Sequence, residues 1–414
     1  MGAAFKFWLE FRLKTTLRGI SLFTGAGGLD LGFEAAGIHA EACLEIDPDA
    51  RRTLELNKPA WNLIADGDIE HVRPAQLLEQ IGAGVGELDV LFGGPPCQPF
   101  SKSAYWARDK FDPLADPRTK PLLNVNRIIE AALPRAIVLE NVANVAGTKS
   151  SAISFFERAL ERINRASGTQ YKPHIVRCNA VDFSVPQLRE RAFVVAFRDG
   201  NAFEAPVPTC APENRRTAWD AIGDLSVSDE EAPNLKLRGK WAGLIPSIPE
   251  GSNYLHHTSK GAGEPLFGWR TRYWSFLLKL AKDRPAWTLQ ASPGPATGPF
   301  HWENRLLSVF EMKRLQTFPD DYEVAGSYRS QRRQLGNAVP PALAEAVGRS
   351  VAEALGMPTS NHSSAFVLTH SNPLPAPETP SAVPTRYMAL RADHEAHPGT
   401  GLGPRARERT TLVA

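Results

Sequence analysis

The chain has 414 residues, of which 43% are hydrophobic and 22% are charged, and its formal net charge is +2 at pH 7. This composition is typical of a folded protein with a sizeable core, and the length allows two domains. Four scattered cysteines without pairwise spacing argue against a disulfide scaffold, favour a reducing cytoplasm and predict no metal site. A net charge so near zero neither requires nor excludes a nucleic-acid partner.

Residues 1–17 form an N-terminal extension in which aromatic and charged side chains are mixed. The extension contains no uninterrupted apolar stretch of the kind that acts as a signal sequence or spans a membrane. We therefore expect a cytoplasmic protein that does not associate with membranes.

The first predicted strand, Ile20 to Phe23, runs into a glycine-rich loop and then into a helix from Leu29 to Ala36, which Gly37 would end. A glycine-rich turn between a strand and a helix lets a nucleoside-bearing ligand approach the backbone closely, and the helix N-terminus faces that ligand. Ordinary tight turns have the same composition, so the loop alone leaves cofactor binding open.

Two acidic residues follow this loop at predicted strand ends. Glu45 lies about 20 residues after the loop, where nucleotide-binding folds place an acid for ribose hydroxyls. Asp68, in the turn Asp66-Gly67-Asp68, is predicted to accept a hydrogen bond from an adenine amino group. The alternative for Asp68 is a helix cap or a turn residue. The order of loop, acid and acid favours the cofactor interpretation.

A single cysteine, Cys97, follows the pair Pro95-Pro96 directly after a short apolar run that predicts a buried strand. Proline fixes the backbone and the preceding glycines allow a tight turn, so the thiol can be held in one orientation at the carboxyl edge of a sheet. The alternative is a small buried hydrophobic residue, which is the commoner role of a lone cysteine. The other polar residues along the chain favour a nucleophile.

Four further polar residues lie beside predicted strands. Glu140 ends one strand, where a carboxyl group beside a cleft can be desolvated and act as an acid. Gln187, Arg189 and Arg191 begin another, and the alternation of side chains predicts that all three lie on one side. Three planar donors on one face favour an anion or a base as their ligand, and a solvated edge is the alternative.

Residues 201–329 differ from the preceding chain, because prolines are frequent and strands no longer alternate with helices. This change predicts a second, smaller domain. Its basic and aromatic residues interleave, as in the run from Phe267 to Trp274, which contains Arg270 and Arg272. Such a mixture fits phosphate contacts and base readout in a DNA groove. The alternative is the aromatic core of the domain itself.

Two helices and a polar segment end the chain. Ser308 and Glu311 form a capping-box pattern that predicts the start of a short helix. An amphipathic helix is predicted to begin at Pro341 and to end at Gly356. Residues 358–414, rich in proline and in small polar residues, are predicted to be disordered.

Several of these segments belong to one ordered series. The series is Phe23-Thr24-Gly25-Ala26-Gly27-Gly28, Glu45, Gly67-Asp68-Ile69, Gly94-Pro95-Pro96-Cys97, Glu140-Asn141-Val142, Gln187-x-Arg189-x-Arg191, Arg314-Leu315-Gln316-Thr317-Phe318-Pro319 and Gly336-Asn337-Ala338-Val339-Pro340. Taken in order, these motifs resemble those of the cytosine-C5 DNA methyltransferases over about residues 18–356. The joint occurrence of so many motifs in the family's order makes the resemblance specific.

The resemblance implies an α/β fold with a Rossmann-like S-adenosylmethionine-dependent methyltransferase domain and a smaller target-recognition domain at residues 201–329. The sheet of the larger domain would be mixed and mostly parallel. In the family the last helix packs back on the first domain, so residues 18–200 would be completed by residues 330–357. The cleft between the domains would hold double-stranded DNA.

The resemblance also implies roles for individual residues. Cys97, Glu140 and Arg191 would be catalytic, with Arg189 supporting the site. The implied ligands of S-adenosylmethionine are Phe23, Gly25, Gly27, Gly28, Glu45, Ile46, Asp68, Ile69, Pro95, Asn337 and Val339. The implied DNA contacts are Gln187, Ser101, Arg270 and Arg272. The implied reaction is methyl transfer to carbon 5 of a flipped cytosine, through a covalent adduct of Cys97 at carbon 6.

Three alternatives to this function differ from it in their motifs. Transfer-RNA methyltransferases of the same fold carry a Cys-Phe-Thr element that this chain lacks. A DNA-binding homologue without activity is disfavoured because Cys97, Glu140 and Arg191 are all present. An amino-methyltransferase would carry an aromatic residue after the Pro-Pro pair, where this chain has cysteine.

The single recognition region is typical of a bacterial modification methylase of a type II restriction system. We expect a monomer that is paired in function with a cognate restriction endonuclease but needs no physical contact with it. The segment from Trp269 to Trp274 suggests a GC-rich palindrome containing CCGG, such as GCCGGC, as the recognition sequence.

Overall fold

A computed structural model describes residues 16–96, 120–142, 152–267, 274–358, 364–367 and 372–391. The described strands, in chain order, are β1 (Leu17–Leu22), β2 (Ile38–Leu44), β3 (Val90–Gly93), β4 (Ala136–Val142), β5 (His174–Asn179), β6 (Gln187–Leu188), β7 (Glu190–Phe197) and β8 (Ala286–Trp287). Six of them form one sheet in the order β2-β1-β3-β4-β7-β5, and β6 pairs with β8.

The sheet is mixed and mostly parallel, as predicted. β1 pairs in parallel with β2 and β3, and β3 pairs in parallel with β4. β7 is antiparallel to both of its neighbours, β4 and β5. The carboxyl ends of β1 to β4 therefore meet at one edge of the sheet, where open α/β folds place their ligands.

The described α-helices, in chain order, are α1 (Gly28–Ala35), α2 (Pro48–Asn57), α3 (Pro74–Gln80), α4 (Lys120–Ala132), α5 (Ala152–Ser167), α6 (Ala218–Ile222), α7 (Ala232–Leu235), α8 (Val309–Leu315), α9 (Tyr328–Asn337) and α10 (Pro341–Ala354). The predicted capping box is confirmed at α8, because Ser308 accepts from the N–H of Glu311 and the Glu311 carboxylate accepts from the N–H of Ser308. None of the helices in the described ranges is long and apolar enough to cross a membrane.

Helices cover both faces of the sheet. On one face, Leu77 of α3, Ile128 of α4 and Leu160 of α5 pack on the strands. On the other face, α1 and α10 pack on the sheet and on each other. A Cβ atom built on Gly32 of α1 would lie 2.4 Å from the Cβ of Ala344, so the two helices approach closely. Among the described α-helices, the last one is thus part of the core that the first one begins.

Residues 201–329, the region expected to form a smaller domain and called the small domain below, contain an aromatic and aliphatic core that includes Leu244, Tyr254, Phe267 and Phe300. The chain after residue 371 completes this core, because Tyr387 is only 4% exposed and packs among these residues. The prediction of a disordered tail is therefore wrong for residues 372–391. These residues form no α-helix or strand in the structure, so their buried side chains follow no regular spacing that the sequence could reveal.

The segment 372–391 is also held by hydrogen bonds. The Tyr387 hydroxyl donates to the Lys240 carbonyl at 2.8 Å, and the Tyr387 ring stacks on Trp241 with centroids 6.2 Å apart. The N–H of Ser381 donates to the Pro246 carbonyl at 2.9 Å. These contacts are spread along the segment, so it is bound as a unit rather than at one point.

The two parts of the chain join through a third apolar cluster. Leu31 of α1 packs there with Trp302, Met312 and Phe318, which lie in the region expected to form the second domain. β6 and β8 make a second connection, with Leu188 opposite Trp287. Residues before and after the expected boundary near residue 200 are therefore in contact through both the apolar cluster and the two-stranded sheet.

Candidate active site

A cleft of about 470 Å³ opens at the carboxyl ends of β1, β2, β3 and β4. It brings together residues that are far apart in sequence, from the glycine-rich loop to the end of α9. The predicted site residues that line it are Phe23, Gly25, Gly28, Glu45, Ile46, Pro95, Glu140, Arg191, Asn337 and Val339. The sheet therefore gathers most of the predicted cofactor residues and two of the predicted catalytic residues around one space.

The glycine-rich loop is fixed by the carboxylate of Glu45. One carboxylate oxygen accepts from the N–H of Gly25 at 2.6 Å, and the other accepts from the N–H of Asp47 at 2.7 Å. Burial raises the pKa of Glu45, and these two N–H groups oppose that rise. A Cβ on Gly28 would lie 2.2 Å from the Val339 carbonyl oxygen, so glycine is required where the segment after α9 meets the loop.

A second carboxyl group lies in the first turn of α1, directly below the loop. Asp30 is 2% exposed. Burial raises the pKa of Asp30 to about 7, against the opposing effect of the nearby Ser21 hydroxyl. The floor of the cleft therefore contains a carboxyl group that changes its protonation state near neutral pH.

Three predicted cofactor residues do not line the cleft. The Asp68 carboxylate accepts from the N–H of Glu70 at 2.9 Å and so stabilises its own turn, as the alternative interpretation proposed. Ile69 is 5% exposed and packs in the core, so its side chain is not available to a ligand. Gly27 approaches Leu54 and the Tyr322 hydroxyl, and its role is to allow close packing.

Glu140 and Arg191 form an ion pair inside the cleft. The Arg191 Nε donates to a Glu140 carboxylate oxygen at 2.8 Å, and each side chain is 11% exposed. The pair arises because β4 and β7 are antiparallel and Val142 lies opposite Arg191. Burial raises the pKa of Glu140, and Arg191 partly opposes that rise. A carboxyl group of raised pKa beside a guanidinium can bind a polar ring through both a donor and an acceptor.

The same strand end is tied to the loop that leads to Cys97. The Asn141 side chain donates to the Pro95 carbonyl at 3.2 Å. A Cβ on Gly94 would lie 3.1 Å from a Glu140 carboxylate oxygen, so this loop runs directly beside the ion pair. Cys97 itself lies outside the described residues, as do Ser101, Arg270 and Arg272.

Arg189 does not reach the cleft. Its guanidinium is fully buried and donates to the carbonyls of Gly336 and Ala338 at 2.7 and 2.8 Å. These two carbonyls flank Asn337. Arg189 also donates to the Leu289 carbonyl at 3.3 Å. Arg189 therefore holds the segment that carries Asn337 and does not line the cleft, which fits the supporting place expected for it better than contact with a ligand.

Gln187 is also buried, so its side chain, which was expected to contact DNA, is not exposed in this structure. Its amide nitrogen donates to the Leu315 carbonyl and to the Gln316 side chain, each at 3.1 Å. Its amide oxygen accepts from the N–H of Leu289 at 3.1 Å. Gln187, Arg189 and Arg191 do not share one face as expected, because the strand is interrupted at Arg189, between β6 and β7.

Sequence reasoning missed an ion pair at the cleft. Arg333 and Asp47 both line it, and Arg333 Nη2 lies 2.6 Å from the Asp47 carboxylate. Arg333 lies one helical turn before Asn337, so both residues lie on one side of α9. That spacing was visible in the sequence and is the signal that could have identified Arg333.

No cluster of potential metal ligands occurs among the residues that the structure describes. The polar groups of the cleft are instead carboxylates, guanidinium groups and backbone N–H groups. Such groups can hold a nucleoside-bearing ligand and a polar ring side by side. This arrangement fits group transfer between two organic molecules.

Comparisons with known proteins agree with this geometry. The family described as C-5 cytosine-specific DNA methylase matches residues 17–353. The chain is 37% identical to the type II methyltransferase M.SacI of Streptomyces achromogenes over 81% of this chain and 93% of that protein. It is 32% identical to the type II methyltransferase M1.HphI of Haemophilus parahaemolyticus over 80% of this chain and 86% of that protein.

Solved structures share the fold. A protein described as a DNA modification methyltransferase encoded within a prophage (Escherichia coli) superposes with a TM-score of 0.60 at 20% identity, over 82% of this chain and 99% of that chain. A DNMT2 variant from Spodoptera frugiperda superposes with a TM-score of 0.55 at 16% identity, over 81% and 99%. The α/β fold is thereby confirmed, and the chain belongs to the C-5 cytosine-specific DNA methylases, enzymes that methylate carbon 5 of cytosine in DNA.

Proposed function

We propose that this enzyme transfers a methyl group from S-adenosylmethionine to carbon 5 of a cytosine that is flipped out of a short, specific sequence in double-stranded DNA. The observation that carries the proposal is the buried Glu140–Arg191 pair, which lies beside the loop leading to Cys97 and opens into the same cleft as the glycine-rich loop. This arrangement places groups for a base next to groups for a nucleoside cofactor.

The residues of the cleft fit S-adenosylmethionine, which supplies an electrophilic methyl group when it is bound. Glu45 would receive the ribose hydroxyls, and Phe23, Ile46 and Pro95 provide apolar contacts. The backbone at Gly25 and Gly28 leaves room for close approach of the ligand. Asn337 and Val339 complete the wall, held in place by Arg189. Gly27, Asp68 and Ile69 contribute to the shape of the site rather than to its lining.

Cys97 is proposed as the nucleophile because carbon 5 of cytosine is a poor nucleophile by itself. Addition of the Cys97 thiolate to carbon 6 forms a C–S bond and moves electron density to carbon 5. Carbon 5 then takes the methyl group. Loss of the carbon 5 proton to a base returns the electron pair to the ring, and the C–S bond breaks.

Glu140 and Arg191 hold the cytosine during these steps. Burial raises the pKa of Glu140, which makes it easier for the carboxyl to take up a proton when the base binds; the protonated carboxyl would donate to ring N3 while its other oxygen accepts from the amino group. Arg191 donates to the base oxygen through a charge-assisted hydrogen bond. The cytosine must leave the helical stack to reach this pair, because carbons 5 and 6 are not accessible inside a duplex.

We further propose that the enzyme is the modification methylase of a type II restriction system. Relatives that carry the name type II methyltransferase support this assignment. The enzyme would act as a monomer and protect host DNA from a cognate endonuclease without contacting it. Ser101, Arg270 and Arg272 remain the proposed DNA contacts, and a GC-rich palindrome containing CCGG remains the proposed site.

The test is to map 5-methylcytosine in the DNA of a host that expresses the protein. We expect one short methylated palindrome, and the absence of new methylated cytosines would overturn the proposal. The variant Cys97→Ala is expected to lose all transfer and all trapping by 5-fluorocytosine DNA while it still binds S-adenosylmethionine. Cys210→Ala is the matched control, because Cys210 is a half-buried cysteine outside the cleft. Trapping by Cys97→Ala would identify a different nucleophile.

A further inference from the structure

One carboxyl group of the cleft has no role in the proposed mechanism. The described residues that line the cleft with a carboxyl side chain are Asp30, Glu45, Asp47 and Glu140. Glu45 accepts from two backbone N–H groups, and Asp47 and Glu140 each pair with an arginine. Asp30 differs from these three, because neither of its carboxyl oxygens has a hydrogen-bond partner among the described residues.

The local structure does not use Asp30 as a cap. An acid in the first turn of a helix commonly accepts from the N–H of the N-cap residue, but the N–H of Gly27 donates to the Thr24 carbonyl at 2.9 Å. The nearby Ser21 hydroxyl favours the charged form of Asp30. Its proton is directed to the Thr24 hydroxyl, 3.0 Å away, because Thr24 donates its own proton to the Leu44 carbonyl. Asp30 therefore holds neither α1 nor the glycine-rich loop through a hydrogen bond.

The surroundings of Asp30 disfavour its anion. Burial is the main cause of its raised pKa, and the charged groups that act most on it raise the pKa further. These groups are the carboxylates of Glu34, one turn later in α1, and of Glu45, directly after β2. The Cys43 thiol of β2 and the Tyr322 hydroxyl, after α8, also lie close enough to interact with Asp30. A cation in the cleft would oppose all these effects and stabilise the anion.

The cation that fits this floor is a sulfonium rather than an ammonium group. An ammonium group has three N–H donors and needs acceptors in direct contact. Asp30 is only 2% exposed, so it offers a negative charge below the cleft more than a surface to touch. A sulfonium has no N–H or O–H donor, and a charge at short range stabilises it most strongly where water is scarce.

We propose that Asp30 is the counter-ion of the sulfonium of S-adenosylmethionine and makes the cleft bind this cofactor more tightly than the product, S-adenosylhomocysteine. This inference rests on the proposed function, because it assumes this cofactor. The product keeps the ammonium and carboxylate groups but has a neutral thioether in place of the sulfonium, so an anion at Asp30 does not favour it. Loss of the positive charge with the methyl group would thus favour exchange of the product for new cofactor.

Titration calorimetry at about pH 8, where Asp30 is ionised, tests this discrimination. For Asp30→Asn, the affinity for S-adenosylmethionine should fall roughly 10- to 100-fold, the range of one close charge pair. The affinity for S-adenosylhomocysteine should change less than about threefold, because its sulfur carries no charge. This retained binding also shows that the variant folds. Sinefungin, which carries a C–NH3+ group where the cofactor carries S+–CH3, should lose affinity as the cofactor does.

The same carboxyl group should make cofactor binding depend on pH. A cation prefers the ionised form of Asp30, so the affinity of the unaltered protein for S-adenosylmethionine should rise about tenfold between about pH 6 and about pH 8. Asp30→Asn should lack this rise. Titrations in two buffers of different ionisation enthalpy count the protons that binding releases. Near pH 7 the unaltered protein should release about half a proton more than Asp30→Asn, and this difference removes any proton from the cofactor itself.

A matched control lies in the next helix. Asp49 is in the first turn of α2, as Asp30 is in that of α1, but it does not line the cleft. Asp49→Asn should leave both affinities and the proton release unchanged. In steady-state kinetics, Asp30→Asn should raise the KM for S-adenosylmethionine without lowering kcat, because the positive charge that Asp30 stabilises is already diminishing in the transition state.

Equal losses of affinity for the cofactor and the product would overturn the inference, because Asp30 would then only shape the cleft. So would an unchanged affinity of Asp30→Asn for S-adenosylmethionine, or equal proton release by the two proteins. Failure of the proposed function is distinguishable from these outcomes. In that case the unaltered protein would bind neither compound, or would bind S-adenosylmethionine and still transfer no methyl group to DNA.

Discussion

The active-site cleft and the small domain differ in where their stabilising contacts come from. The cleft is held by hydrogen bonds between polar residues of its own motifs, such as Glu45 to Gly25 and Asn141 to Pro95. The core of the small domain is closed by Tyr387, which comes from the far end of the chain. A site built from polar motif residues can be identified in the sequence, whereas a core completed by a distant apolar residue cannot.

The difference also separates chemistry from stability. The polar residues of the cleft act on ligands, and several of them are held at a cost in desolvation, as the raised pKa values of Glu45 and Glu140 indicate. The hydrogen bond of Tyr387 and its apolar contacts within segment 372–391 go to residues of the small domain that do not line the cleft. Substitutions in the two regions should therefore change different measurements.

The largest effect is expected at Glu140, in the cleft. Glu140→Gln should lower kcat roughly 10²- to 10⁴-fold, the range of a lost proton donor, while S-adenosylmethionine binding and the melting temperature change little. Single-turnover methyl transfer and calorimetry measure the two quantities. Glu130→Gln, which removes a surface carboxylate of α4, is the control and should have no effect. A large change in melting temperature would contradict the separation of chemistry from stability.

The next effect is expected in the small domain. Tyr387→Ala removes a buried aromatic ring and should lower the free energy of unfolding by about 3 kcal/mol. Tyr387→Phe removes only the hydroxyl, which donates to the Lys240 carbonyl and accepts from Arg386, and should cost about 1 kcal/mol. Thermal denaturation and limited proteolysis of the small domain are the measurements. Leu374→Ala, at a side chain 53% exposed, is the control. An unchanged stability would show that the segment is not part of the core.

A smaller effect, dependent on pH, is expected below the glycine-rich loop. Burial raises the folded pKa of Asp30 to about 7, and the unfolded pKa is near the ordinary value of 3.8, so between these two pH values the folded state binds a proton that the unfolded state lacks. This contribution to stability is complete below the unfolded pKa and is lost as the pH rises through the folded pKa. Asp30→Asn removes it.

Relative to the unaltered protein, Asp30→Asn should therefore gain on the order of 2 kcal/mol in the free energy of unfolding between about pH 5 and about pH 8. Denaturant unfolding at the two pH values measures the gain. Asp229→Asn, an exposed aspartate of the small domain, supplies the control and should show no such gain. A difference between Asp30→Asn and the parent that does not vary with pH would show that Asp30 is ionised throughout.

The smallest effect is expected at the edge of the cleft. Arg333→Ala breaks the ion pair with Asp47, whose side chains are 44% and 30% exposed. Exposed pairs contribute little, so S-adenosylmethionine affinity should fall by no more than about fivefold, with kcat unchanged. Arg329→Ala, an exposed arginine on the same helix, is the control for titration calorimetry. A large fall in kcat would place Arg333 on the DNA instead.

The sequence predicted the elements whose cause is local. The capping box at Ser308, the helix that starts at Pro341 and the turn at Gly37 all formed, since each depends on residues within a few positions. The end of one strand differs slightly, because β4 continues to Val142, two residues beyond Glu140, which was predicted to end the strand. Pairing with β7 extends the strand, and no local pattern reports that pairing.

The sequence by itself determined the fold class, the enzyme family and most of the residues around the cleft, because parallel strands place their motif residues at one edge of the sheet. Only the tertiary structure decided which donors face a ligand. Gln187 and Arg189 share a motif with Arg191, but their side chains donate hydrogen bonds to carbonyls of segments that are distant in sequence. Those carbonyls come near them only when the chain folds. For the same reason the sequence did not predict that Tyr387 belongs to the core of the small domain, because its burial depends on how distant parts of the chain pack.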